Sequence, residues 1–62
     1  MSDKFNSTLR VAAGFGRLDI VKCMLEMGAT DLDGAISSAT YFNQFEVVKF
    51  LVEKKAKKHT FT

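Results

Sequence analysis

The sequence repeats itself at an offset of 27 residues. Residues 18–29 read LDIVKCMLEMGA and residues 45–56 read FEVVKFLVEKKA, and the match extends upstream of both segments. Residues 5–29 and 32–56 therefore form two units, called here repeat one and repeat two. The identical pairs are Ala12/Ala39, Phe15/Phe42, Val21/Val48, Lys22/Lys49, Glu26/Glu53 and Ala29/Ala56. Self-similarity at such a period predicts a stacked repeat protein, a class that mostly binds other macromolecules across an extended surface.

Turn-forming residues divide repeat one into two short helices. Asn6 or Ser7 can cap the first helix, because a side-chain oxygen at that position accepts a free backbone N–H. Gly14 and Gly16 are expected to end this helix, and a second helix is expected to begin near Leu18. Gly28 is expected to end the second helix, since glycine readily adopts a positive φ at a helix terminus.

Repeat two follows the same plan with different turn residues. Asp31 or Asp33 can cap its first helix, which is predicted to run from Gly34 to Thr40. Asn43 replaces a glycine at the turn, and asparagine also tolerates the left-handed conformation. No segment alternates as a strand would, so the predicted fold class is all-α. We expect one domain over residues 1–62, built from two stacked helix-turn-helix repeats with four short helices.

The second helix of repeat one carries an apolar face with helical spacing. Its members are Ile20, Val21, Met24 and Leu25, widened by Cys23 and Met27. Cys23 is therefore predicted to be a small buried hydrophobe. It is the only cysteine, so no disulfide can form within one chain.

Repeat one resembles the ankyrin repeat. That family's pattern runs Thr-Pro-Leu-His, Ala-Ala, Gly-His-Leu-Glu-Ile-Val-Lys, a Leu pair, Glu and Gly-Ala. Repeat one matches it at Leu9, Ala12, Ala13, Gly16, Leu18, Ile20, Val21, Lys22, Leu25, Glu26, Gly28 and Ala29. Repeat two matches more loosely, at Ala39, Val48, Lys49, Leu51, Glu53 and Ala56. The resemblance implies two helices in each repeat and a role in binding proteins.

Two departures from the ankyrin pattern change what it implies for binding. Residues 7–10 read Ser-Thr-Leu-Arg in place of Thr-Pro-Leu-His, and the offset of 27 is shorter than the family's period of about 33 residues. The missing residues fall between Ala29 and Ala35, where ankyrin repeats carry a β-turn finger. Ankyrin proteins commonly bind with the fingers and the concave inner helices. A chain without the finger is therefore expected to bind through its helical faces.

Two repeats are too few to cover every apolar side chain, because about three are needed for a continuous core. We therefore expect a homo-oligomer, with a two-fold dimer favoured, or a chain completed by another protein. The candidate protein-contact residues are Phe15, Tyr41, Phe42, Phe45 and Phe50. Phe42 and Phe45 have apolar counterparts in repeat one, so packing inside the fold remains an open alternative for them.

Charge is distributed unevenly along the chain. The net charge is +2, yet residues 54–62 hold four lysines and no acid. The candidate phosphate contacts are Lys54, Lys55, Lys57 and Lys58, the last two within a basic tail of residues 57–62. They support a second hypothesis, a nucleic-acid-associated protein with oligomerised tails. The simpler alternative is a helix C-terminus whose lysines interact favourably with the helix dipole.

The residues needed for catalysis are missing, so the protein is predicted not to be an enzyme. His59 is the only histidine, and it lies in the basic tail away from any serine that it could activate. No cluster of His, Cys and acids has the spacing of a metal site, and no cofactor is expected. The lack of an apolar leader or of a long apolar stretch favours a cytoplasmic or otherwise intracellular protein without membrane contact.

The leading functional hypothesis is a non-enzymatic protein–protein interaction module. It would act as an adaptor or stoichiometric inhibitor, as small viral or phage proteins do when they block a host protein. Inhibition would follow if the 62 residues are the complete product, since nothing would remain to form an effector domain. A further alternative is a structural protein whose open repeat ends stack head to tail into larger assemblies.

Overall fold

Between residues 3 and 57 the chain folds into four helices joined by short turns. The computed structural model describes residues 3–57, and this part of the chain contains no strand. The helices are α1 (Asp3–Phe15), α2 (Leu18–Glu26), α3 (Leu32–Tyr41) and α4 (Phe45–Lys57). The predicted all-α class is confirmed, with one helix pair in each repeat. Of the predicted basic tail, Lys57 is the last residue of α4, and residues 58–62 lie outside the described residues.

The 27-residue offset is reproduced in the backbone of the two helix turns. Gly16 has φ of 76° and Asn43, its counterpart in repeat two, has φ of 61°. The next residue, Arg17 or Gln44, donates its N–H to the carbonyl five positions earlier, at 2.9 Å and 2.8 Å respectively. Asparagine therefore does adopt the left-handed conformation expected of it, and the two repeats share one turn geometry.

The core is small and rich in alanine. Helix α1 lies against both α2 and α3, and α3 also packs against α4, while α2 and α4 touch little. The buried hydrophobic residues are Leu9, Ala12, Ala13, Val21, Ala29, Ala35, Ala39, Val47 and Leu51. Alanines let α1 and α3 approach closely, but they bury little apolar area. The few large buried side chains therefore carry much of the hydrophobic stabilisation.

Helix α1 is longer than the sequence predicts. It begins at Asp3 and continues through Gly14 to Phe15, so the predicted end is wrong for Gly14 and confirmed for Gly16, which follows the last helical residue with a positive φ. Asn6 lies inside the helix, and its Oδ1 instead accepts the backbone N–H groups of Thr30 and Asp31, at 2.8 and 3.1 Å. The side chain that was predicted to cap α1 thus binds the backbone of the loop between the repeats. The lack of a side chain at Gly14 leaves space for α3, whose Ser38 and Phe42 side chains lie close to this position.

Helix α3 begins two residues before the predicted Gly34. Of the two predicted caps, Asp31 occupies the N-cap position, and its Oδ1 accepts the N–H of Gly34 at 3.0 Å. Asp33 lies in the first turn of the helix, where a carboxylate interacts favourably with the helix dipole. Helix α2 ends at Glu26, and Gly28 follows it with the expected positive φ, 114°.

The predicted burial of Cys23 is wrong. Its side chain is exposed, and Met27, which also seemed to widen the apolar face, is 55% exposed. Helix α2 is covered mainly by α1, so only a narrow stripe of its surface is shielded. Val21 is the one fully buried residue on that stripe, with Ile20 and Met24 packed beside it.

Candidate protein-binding surface

The two repeats meet where α1 crosses α3. The hydroxyl of Ser38 on α3 donates to the carbonyl oxygen of Arg10 on α1, at 2.9 Å. At the end of the helices, Gln44 Nε2 donates to the carbonyl oxygen of Gly14, at 3.0 Å. Gly14 also faces the ring of Phe42. These contacts hold α1 and α3 in a fixed register and place their last residues side by side.

Exposed aromatic side chains cluster at this end of α1 and α3. Val11, Phe15 and Phe42 line a shallow groove of about 220 Å³, together with Arg10, Gly14 and Ser38. Tyr41 adjoins the groove, with its ring edge-on to Phe42 at 5.0 Å between ring centres. We call Val11, Phe15, Tyr41 and Phe42 the aromatic patch. Phe15 and Tyr41 are 73% and 81% exposed, and the other two are more than half exposed.

The helix turns explain why these aromatic residues stay in solvent. Phe15 and Phe42 each end or follow a helix and directly precede the positive-φ residue, Gly16 or Asn43. The chain reverses at that point, so the ring cannot follow the next helix into the core. A residue held by a helix on one side and a tight turn on the other presents a preorganised surface, which reduces the entropy lost on binding.

The other two predicted contact residues lie apart from the aromatic patch. Phe45, at the start of α4, is 71% exposed, in keeping with a contact role, but it does not line the groove. Phe50 is half-buried and packs against the core. Lys22 Nζ and Lys54 Nζ lie 5.4 and 5.7 Å from the centre of its ring, within cation–π range. Phe50 therefore joins α2 to α4 rather than facing solvent freely.

The predicted phosphate-binding lysines are engaged within the fold where the structure describes their side chains. Lys54 lies over Phe50, at one side of a hollow of about 240 Å³ that also includes Glu26. Lys55 Nζ donates to Asp33 Oδ1, which ties α4 to α3. Lys57 ends α4, and Lys58 lies outside the described residues. Of the candidate phosphate contacts, Lys54 thus contacts an aromatic ring and Lys55 an aspartate, and phosphate binding stays a prediction.

Asp31 joins the two repeats electrostatically. Its Oδ2 accepts from Arg10 at 2.8 Å, while its Oδ1 caps α3. The hydrogen bond from Arg10 and then that from the Gly34 N–H hold the pKa of this carboxyl below its ordinary value of 3.8. The sequence identified Asp31 as a candidate cap but not its pairing with Arg10. The two residues are 21 positions apart, and their contact depends on how α1 packs against the loop between the repeats.

The stability of the protein is expected to fall in acid through Asp31. A carboxyl with a lowered folded-state pKa stabilises the fold fully above its unfolded value and loses that contribution as the pH falls through the folded value. Asp31→Asn is the matched variant, because Asn caps a helix as well as Asp does but cannot pair with Arg10. At about pH 6 the original protein should melt at a higher temperature than Asp31→Asn. The two melting temperatures should converge as the pH is lowered to about 3. An unchanged difference at acid pH would contradict this assignment.

The described part of the chain contains neither a cluster of metal-binding side chains nor a helix that could span a membrane. Within it, no three His, Cys, Asp or Glu side chains come together as a metal site. None of the helices between Asp3 and Lys57 has both the length and the apolar character that a membrane span requires. Comparison of the chain with protein-family models, curated proteins and solved structures yields no match.

Proposed function

We propose that this protein is a non-enzymatic protein-interaction module of the ankyrin type that binds through the aromatic patch. It would act as an adaptor or as a stoichiometric inhibitor, by occupying a surface of another protein chain. The observation that carries the proposal is the groove between α1 and α3, which is lined by the exposed rings of Phe15 and Phe42 and has the exposed ring of Tyr41 beside Phe42.

The composition of the aromatic patch supports protein binding. Soluble monomers rarely keep a contiguous apolar surface in water unless it serves an interaction. Tyrosine and phenylalanine are enriched at protein interfaces, since a large rigid ring buries much area and loses little conformational entropy. Arg10 and Ser38 also line the groove, but their side chains donate hydrogen bonds within the fold, so the groove offers a partner a mainly apolar surface.

The ankyrin assignment rests on the pairing of helices as well as on the sequence pattern. The first helices of the two repeats, α1 and α3, pack directly against each other, while α2 and α4 lie outside and touch little. Only residues 27–31 connect the repeats, which leaves no room for a finger. Binding would therefore use the ends and faces of α1 and α3, where the aromatic patch lies.

We propose a second copy of the same chain as the first occupant of the patch, in a two-fold dimer. Small domains with a single core are only marginally stable and usually need further support. Five of the nine buried hydrophobic residues here are alanines, so the core is small even for this length. A two-fold contact between aromatic patches would remove four large exposed side chains per chain from water and add the missing stabilisation.

Association is expected to disappear in the double variant Phe15→Ser with Phe42→Ser. Both side chains are more than half exposed and lie outside the buried core, so their loss removes the apolar contact without opening a cavity there. Light scattering should give twice the monomer mass of 6.9 kDa for the original protein and the monomer mass for the variant. Circular dichroism should show the same helix content in both.

Met27→Ser is the matched control for this experiment. Met27 is also 55% exposed, but it lies beyond the end of α2 that is remote from the helix turn and the patch. The control should associate as the original protein does. A dimer that survives in the double variant would contradict the proposed role of the patch. A monomer in all three proteins would contradict the dimer and make a different protein the occupant to seek.

A further inference from the structure

The joint between the repeats requires a residue without a side chain at position 14. A Cβ atom built on Gly14 would lie 2.7 Å from Ser38 Oγ and 3.1 Å from Phe42 Cδ2. The first distance is shorter than real Cβ contacts, and the second is at the tight limit. Because Phe42 comes from repeat two and Gly14 from repeat one, the absence of a side chain is what lets the second repeat stack on the first.

The same position of repeat two is occupied by Tyr41. It lies 27 residues after Gly14, and the matching turns at Gly16 and Asn43 show that the offset holds in the backbone. Tyr41 is 81% exposed, so its side chain projects from the end of the stack instead of packing within it. A third repeat stacked on this end would therefore pack its counterpart of Phe42 against position 41.

We infer that Tyr41 closes this end of the repeat stack against head-to-tail addition of another copy. In such an addition the incoming chain's Phe15, the counterpart of Phe42, would have to occupy the space that the Tyr41 side chain fills. At the internal joint one carbon atom on Gly14 is already too close to its neighbours. A phenol ring excludes the same packing far more strongly.

Two of the side-chain hydrogen bonds that join α1 to residues 30–44 would also be lost in a head-to-tail joint. The Ser38 hydroxyl that bonds to Arg10 would be replaced by Val11, which has no donor. The Arg10–Asp31 pair would become Ser37 facing Lys4. The bond from Gln44 has a substitute, since Arg17 stands at that position and keeps an N–H donor, and Asp33 stands at the position of the Asn6 acceptor.

This inference does not depend on what binds the aromatic patch, and it bears on how assembly ends. Head-to-tail contacts that do not close into a ring produce open filaments, whereas two-fold contacts stop at a dimer. Because Tyr41 prevents another copy from stacking on this end, the chain can form only closed assemblies or complexes with other proteins. The structural self-assembler considered from the sequence is thereby disfavoured.

A matched pair of variants tests the role of Tyr41. The first carries Lys4→Asp, Val11→Ser and Ser37→Arg, which restore the polar pairs of the internal joint at both open ends. The second carries the same three changes together with Tyr41→Gly. All four positions are exposed, so the substitutions remove no buried contact. Circular dichroism and light scattering over a range of concentrations are then recorded for both variants and for the original protein.

We expect the mass of the four-fold variant to keep rising with concentration, as an open stack does. The original protein and the three-fold variant should level off at a fixed mass. Growth of the original protein without a plateau, equal growth of both variants, or a folded four-fold variant that does not grow would each overturn the inference. If the four-fold variant fails to fold, the comparison is repeated without Val11→Ser, and only the variant that carries Tyr41→Gly should grow.

Discussion

Replacing Leu51 with alanine is expected to leave little of the folded state at room temperature. Leu51 is fully buried, and in the described part of the chain it shares that property with three other large side chains, Leu9, Val21 and Val47. Leu→Ala substitutions in a core cost about 2–5 kcal/mol. A single core in a chain below about 70 residues supplies only about 3–5 kcal/mol of net stability. The loss is therefore comparable with the whole free energy of unfolding.

Urea unfolding followed by circular dichroism measures this loss, and Val52→Ala provides the control. Val52 is the next residue of α4 but is 47% exposed, so its truncation is expected to cost less than about 1 kcal/mol. If both variants shift the midpoint equally, Leu51 does not occupy the core position that the structure assigns to it. A full loss for Leu51→Ala with a small shift for Val52→Ala supports the described core.

Substituting leucine for Gly14 is expected to separate α1 from α3. A leucine gains up to about 1 kcal/mol of helix propensity over glycine inside α1. Against this, its Cβ would displace the Ser38 hydroxyl from Arg10, and its larger branches would collide with Phe42. Overpacking of this kind costs about 1–3 kcal/mol or more. We expect a net loss of stability, measured as a lower urea midpoint.

Ser7→Leu is the matched control for Gly14→Leu. It places the same side chain on the same helix, at an exposed position, and such changes usually alter stability by no more than about 0.5 kcal/mol. A Gly14→Leu variant that is as stable as the original protein, or more stable, would mean that the two repeats are not held at the observed spacing. It would also remove the basis for the role inferred for Tyr41.

Local patterns in the sequence predicted the helices well. Apolar residues at helical spacing and turn residues such as Gly16, Gly28 and Asn43 act within a few positions, so they determine where helices begin and end. The error at Gly14 has a tertiary cause. A glycine inside a helix can serve close packing with a neighbour rather than a turn, and only the approach of Ser38 and Phe42 reveals which.

The candidate site was only partly predictable. An excess of apolar side chains over available core made Phe15, Tyr41 and Phe42 candidate contact residues, although packing inside the fold remained an alternative for Phe42. The groove between them depends on the crossing of α1 and α3, which no local pattern encodes. The same holds for the partners of Lys55 and Phe50, which come from residues far away in sequence. Cys23 was misjudged because periodicity shows how wide an apolar face is, not how much of it is covered.

Quenching of Tyr41 fluorescence by acrylamide tests the central claim most directly. Tyr41 is the only tyrosine and the chain has no tryptophan, so its emission reports on the aromatic patch alone. The side chain is 81% exposed in the single chain and should be quenched efficiently at low protein concentration. The account predicts that quenching declines as concentration rises and the patches pair. Quenching that stays equally strong while the molar mass doubles would show that the chains associate through another surface.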